Sequence, residues 1–137
     1  MDERSRRVRA FLGALLFPAA FALAGGFPSG ALAQSMAEAA KGQKIFFKVC
    51  VQCHTLQDKS QASGPGLGGV LKRIPSEEWL MKWLKDPKGM VQSGDDYAQS
   101  ISKKYPLQMP KLKVMQKKSN RRAIITFLKQ VHQSAVE

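Results

Sequence analysis

Cys50, Val51, Gln52, Cys53 and His54 run consecutively, and Cys50 and Cys53 are the only two cysteines in the 137-residue chain. Two thiols at this spacing on one turn can each add to a vinyl group of a porphyrin and form two thioether bonds. The histidine that follows then lies under the iron. One imidazole nitrogen of His54 becomes the axial ligand on that side, and the other donates to a backbone carbonyl that fixes the ring's orientation. The spacing therefore predicts one haem c, attached covalently through Cys50 and Cys53, with His54 on the metal.

Other uses of a Cys-x-x-Cys pair fit less well. A closed zinc site takes four ligands, and the sequence has no second cysteine pair and one further histidine, His132, close to the C-terminus. A thioredoxin-like pair expects a strand ahead of it in a βαβ setting, whereas the flanks here read as helix and glycine-rich loop. A disulfide across so short a loop restrains the unfolded chain little. There is no nucleotide-binding glycine pattern, serine nucleophile arrangement or carboxylate pair at catalytic spacing.

Helical stretches surround the cysteines. From Met36 to Lys48, Ala37, Ala40, Ile45 and Val49 alternate with lysines in a pattern that leads into Cys50. Gln57 to Gly69 reads as loop, whose glycines let the backbone run close to a flat cofactor. Pro75 then precedes Ser76 as an N-cap, Glu77 and Glu78 fill a first turn, and Pro87 stops the helix. Trp79, Leu80, Trp83 and Leu84 share one face, a stripe read as core ahead of contact with a haem edge or propionate. The pattern weakens from Gly89 to Lys104, where Asp95 and Asp96 start a short helix after Gly94. Ser119 or Asn120 caps a last helix whose stripe of Ile124, Phe127, Leu128 and Val131 meets the first. Arg121 and Arg122 stand in its first turn, where the dipole disfavours cations, and so read as surface residues.

Residues 1–33 read as a signal peptide. Arg4, Arg6, Arg7 and Arg9 precede an apolar run from Ala10 to Ala24, and Ala31, Leu32 and Ala33 offer small residues for cleavage before Gln34. An uncleaved anchor is the lesser reading, because Pro18, Gly25 and Gly26 interrupt a stretch barely long enough to span a bilayer. The remaining domain, 34–137, is periplasmic on this reading and holds 18 basic and 8 acidic residues, a net charge of +10 against +12 for the whole chain. Export leaves acidic proteins, or an anionic membrane surface approached peripherally, as partners for such a charge, and not nucleic acid. A plain solvated lysine coat is the alternative.

Residues 36–132 resemble class I monohaem cytochrome c. Gly42 and Phe46 match the positions at which that family packs its first helix on its last, and Gly64-Pro65-Gly66-Leu67 resembles its Gly-Pro-x-Leu segment. The resemblance implies that Pro65 lies beside His54 and that the preceding carbonyl, of Gly64, takes the ring proton. Tyr105-Pro106-Leu107-Gln108-Met109-Pro110 resembles the loop that presents the distal methionine, which makes Met109 the sixth ligand. Among its rivals Met81, Met90 and Met115, none has prolines so placed, and Met115 reads as core. An all-α cytochrome c fold wrapped around one haem follows from the resemblance.

With both axial positions filled the iron meets no substrate, so the expected activity is single-electron transfer between redox proteins, as in respiratory chains, and not catalysis. The thioether sulfur favours ferrous iron and raises the potential. The chain is expected to act as a monomer or as the haem subunit of a larger oxidoreductase. A gas-binding or peroxidatic haem protein needs an open sixth position, and His132 reads as exposed, not as a distal residue. Lys103, Lys104, Lys111, Lys113, Lys117 and Lys118 flank the methionine loop and suggest a docking ring.

Overall fold

Alanines and leucine between Ala31 and Ala40, free of proline and glycine, are strong helix formers, and in the computed structural model, which describes residues 29–57 and 63–134, they extend the first helix back to Ser29. Helix α1 therefore spans Ser29–Val49 and starts earlier than Met36. The expected cleavage position falls inside it, while residues 1–28 of the expected signal peptide, with the possible anchor Ala10 to Phe27, lie outside the described residues. Among the described residues no helix is long and apolar enough to cross a membrane.

The buried line on α1 is Ala39, Gly42 and Phe46, whereas Ala37 and Ala40 are exposed. This line meets helix α5, Lys118–Ser134. The two backbones touch at Gly42: a Cβ there would overlap the Ala123 carbonyl oxygen and lie 2.8 Å from Phe127 Cβ. One turn on, Phe46, 1% exposed, packs its ring 5.6 Å from that of Phe127.

Helix α2, Glu77–Lys85, begins as expected, with Ser76 Oγ accepting from Trp79 N at 3.0 Å. Trp79, Leu80, Trp83 and Leu84 are all buried, and the two indoles stack at 5.3 Å. Pro87 ends α2 and also opens helix α3, Pro87–Gln92, which the sequence pattern did not resolve. Proline does both because it cannot continue a helix yet is pre-set for the first position of the next. Helix α4, Asp96–Lys104, takes Asp95 as its cap, the carboxylate accepting from Ala98 N at 2.8 Å. The same carboxylate accepts from Trp79 Nε1 at 3.0 Å and so ties α4 to α2. These bonds, that to Ala98 first, hold the Asp95 carboxyl below the usual carboxylate range.

The start of α5 differs from expectation in two ways. Neither Ser119 nor Asn120 is the cap, since the helix begins at Lys118 and the Asn120 amide instead donates to Val114 O at 2.7 Å. Arg121 is not a surface residue: it is 8% exposed and its guanidinium donates to the carbonyls of Met115 and Gln116. Those carbonyls end a short 3-10 turn, Lys113–Gln116, and one terminal guanidinium nitrogen from the following helix donates to both. Arg122 is exposed. Helices account for the regular structure of the described residues apart from three short 3-10 turns, and no strand occurs among them; the fold is all-α.

Candidate haem site

The last turn of α1 runs into a 3-10 turn, Cys50–Gln52, and the Cys50 carbonyl accepts from both Cys53 N at 3.1 Å and His54 N at 2.9 Å. This knot brings Cys50, Cys53 and His54 to the wall of one cavity. Burial, and next the neighbouring Cys53, push the Cys50 thiol up to about 11. Burial thus makes this thiol less ready to ionise than an ordinary cysteine.

His54 Nδ1 lies 2.8 Å from a carbonyl oxygen, and that oxygen belongs to Pro65, not Gly64. Gly64 is engaged otherwise: its N–H donates to Cys53 O at 2.9 Å, which lays its Cα flat on the imidazole. A Cβ at Gly64 would lie 2.8 Å from His54 Cε1 and 3.0 Å from Nδ1, so any side chain there displaces the ring. The next carbonyl in the chain, Pro65's, is then the one that faces Nδ1. A carbonyl can only accept, so Nδ1 carries the proton and Nε2 keeps the lone pair that a metal needs.

The cavity has a volume of about 380 Å³, within the ~300–1,000 Å³ of ordinary ligand sites. Phe46 from α1, Leu80 and Trp83 from α2, Ile101 from α4 and Leu128 from α5 make its walls largely apolar. Pro65 lines it beside His54, and Met109 lines it from the irregular segment after α4. No other methionine of the described residues does so: Met115 is core at 1% exposure, and Met81 and Met90 pack against the core outside the cavity. Trp79 is both core and cavity wall, and its N–H is taken by Asp95. Arg73, which no sequence pattern marked, also reaches the cavity and donates from its two terminal nitrogens to Gly68 O and Gly66 O, each at 2.6 Å, bracing the loop beside Pro65.

These residues fit a haem. Two thiols and an imidazole with its Nε2 lone pair stand on the wall of an apolar cavity, a thioether side chain joins the lining, and Gly64 leaves the imidazole room that a Cβ would take. Cys50 and Cys53 would hold the porphyrin covalently and His54 and Met109 the iron.

A helical wrap around such a cavity, with Cys-x-x-Cys-His on its wall, defines the class of c-type haem proteins. The cytochrome c family model matches residues 39–132. The chain belongs to the cytochrome c family and is a haem-based electron-transfer protein. It is similar to the solved cytochrome c from Rhodothermus marinus, with 26% identity and a TM-score of 0.61 over 72% of this chain and 80% of that one. An engineered cytochrome c from Rhodothermus marinus bound to a carbene intermediate is also similar, with 28% identity and a TM-score of 0.59 over the same shares.

Proposed function

We propose that the chain is an exported, periplasmic, non-enzymatic carrier of single electrons, with one haem c bound through Cys50 and Cys53 and ligated by His54 and Met109. The observation that carries this reading is that Met109, alone among the described methionines, lines the cavity shared by Cys50, Cys53 and His54. When bound, the haem supplies a one-electron Fe(III)/Fe(II) couple. The protein's own work is positional: Pro65 O fixes the His54 ring, Met109 would hold the iron together with His54, and the apolar walls would keep water away, so that little moves when the charge changes.

One preparation tests the reading. The intact mass of the exported protein should equal residues 34–137 plus one haem, and the oxidised spectrum should show the weak red charge-transfer band of ferric iron bound to methionine sulfur. A high-spin spectrum that shifts readily with carbon monoxide would favour an open-iron haem protein instead. The likeness to an engineered cytochrome c holding a carbene intermediate makes that the second reading.

The electron partners we infer are redox proteins with acidic faces, met by this chain as a monomer or within an oxidoreductase complex. Lys103, Lys104, Lys113, Lys117 and Lys118 are exposed around the Met109 segment, Lys104 reaching the cavity mouth beside Leu107, which is 56% exposed. Lys111 is drawn away from this group by an ion pair with Asp86 at 2.9 Å. Because the screening length falls from ~30 Å at 0.01 M salt to ~8 Å at 0.15 M, the second-order rate with an acidic partner should drop by about tenfold or more over that range. A rate indifferent to salt would remove electrostatic docking from the account.

A further inference from the structure

The segment that carries Met109 is not part of any ladder. Between Pro106 and Lys111 no backbone N–H or C=O makes a backbone hydrogen bond with a described residue. Side chains on either side of Met109 attach it instead. On one side Gln108 Nε2 donates to Ser102 O and Tyr105 O, each at 3.1 Å, while its Oε1 accepts from Ser102 Oγ at 2.7 Å. On the other, Lys111 Nζ meets Asp86 at 2.9 Å. The ion pair is about half exposed on both partners, and such pairs hold weakly. Gln108 ties the segment at more points: its three bonds, also at the surface, take up the carbonyls of Ser102 in α4's last turn and of the C-cap Tyr105 and the Ser102 hydroxyl, and hold the residue directly before Met109 to the end of α4.

We infer that Gln108 is a positioning residue that sets how firmly Met109 holds the haem iron, an inference resting on the His54/Met109 reading above. A neutral thioether is a weak ligand, so its occupancy depends on how much freedom the chain around it loses on binding. A segment without backbone hydrogen bonds has much to lose. Gln108 and Met109 line the same cavity, and the amide fork removes that freedom beforehand.

The test uses the haem-loaded protein and two readouts, the ferric sulfur-to-iron band and ferrous carbon monoxide affinity, because carbon monoxide must displace Met109. Gln108→Ala should raise the apparent affinity by about tenfold, the worth of one to two net hydrogen bonds, and weaken the band. Gln108→Glu keeps an acceptor for Ser102 Oγ but turns a carboxylate on two carbonyls, and should do at least as much. Ser102→Ala removes one bond of three and should give about threefold. Lowered thermal stability with band and affinity unmoved would make Gln108 a helix cap only and overturn the inference. If Gln108→Ala does not fold, unchanged affinity in Ser102→Ala overturns it equally. Absence of the band from the unaltered protein would sink the ligation reading and this inference with it, whereas a normal band with insensitive variants sinks the inference alone.

Discussion

Gly42→Ala should unfold roughly 12–24 °C below the unaltered protein, by helical circular dichroism on heating. Its added Cβ would meet the Ala123 carbonyl, which is backbone, and Phe127 Cβ, which sits one bond from backbone. No rotamer change relieves either contact, so α1 and α5 must separate. Overpacking commonly costs ~1–3 kcal/mol, and more where backbones must move. The upper end of that range, spread over a domain of this size, corresponds to the stated shift at ~4–8 °C per kcal/mol. The neighbouring change Lys41→Ala gives up only an exposed 3.4 Å contact to Ser119 Oγ and should alter stability by less than ~0.5 kcal/mol. Equal melting of the Gly42 and Lys41 variants would mean that the helices do not cross at this glycine.

The second large effect is spectroscopic. Met109→Ala should abolish the ferric sulfur-to-iron band, turn the iron high-spin, admit carbon monoxide without delay and lower the reduction potential by on the order of 0.1 V. Stability should change less than for Gly42→Ala, because Met109 is half-buried and its segment contributes no backbone hydrogen bonds. The competing ligands are accounted for by their places: Met115 is core, and Met81 and Met90 lie outside the cavity. Persistence of the band in Met109→Ala with its loss in Met90→Leu would transfer the sixth position to Met90.

The cysteine pair with His54 was legible because its chemistry needs fixed residues at fixed spacing, and the family and helical fold were legible through the resemblance that Gly42, Phe46, Gly64-Pro65-Gly66-Leu67 and the Met109 segment add to it. The α5 stripe was legible from its apolar period, and Gly42 through the resemblance, in which the first helix packs on the last at that glycine. What escaped were features decided by local hydrogen-bond geometry. Pro65 in place of Gly64 beside His54 turns on which carbonyl the Gly64–Cys53 bond leaves facing the ring. Pro87 closing one helix and opening another is one residue in two roles. Arg121 looked exposed because a cation in a first turn opposes the dipole, a small term that two carbonyl partners outweigh. Gln108 stood in the segment that resembles the methionine loop, but its own bonds had no signal, because its partners come from the end of another element.

The α1–α5 crossing also makes the site depend on the far end of the chain. Cys50, Cys53 and His54 belong to the first half of the chain, but the α1 stripe of Ala39, Gly42 and Phe46 is covered by Lys118–Ser134, across a long intervening stretch of chain whose closure carries an entropic cost. Ile124 and Leu128 of that same helix line the cavity that Cys50, Cys53 and His54 share. The last helix thus works as a latch: one docking event covers α1 and completes the cavity wall.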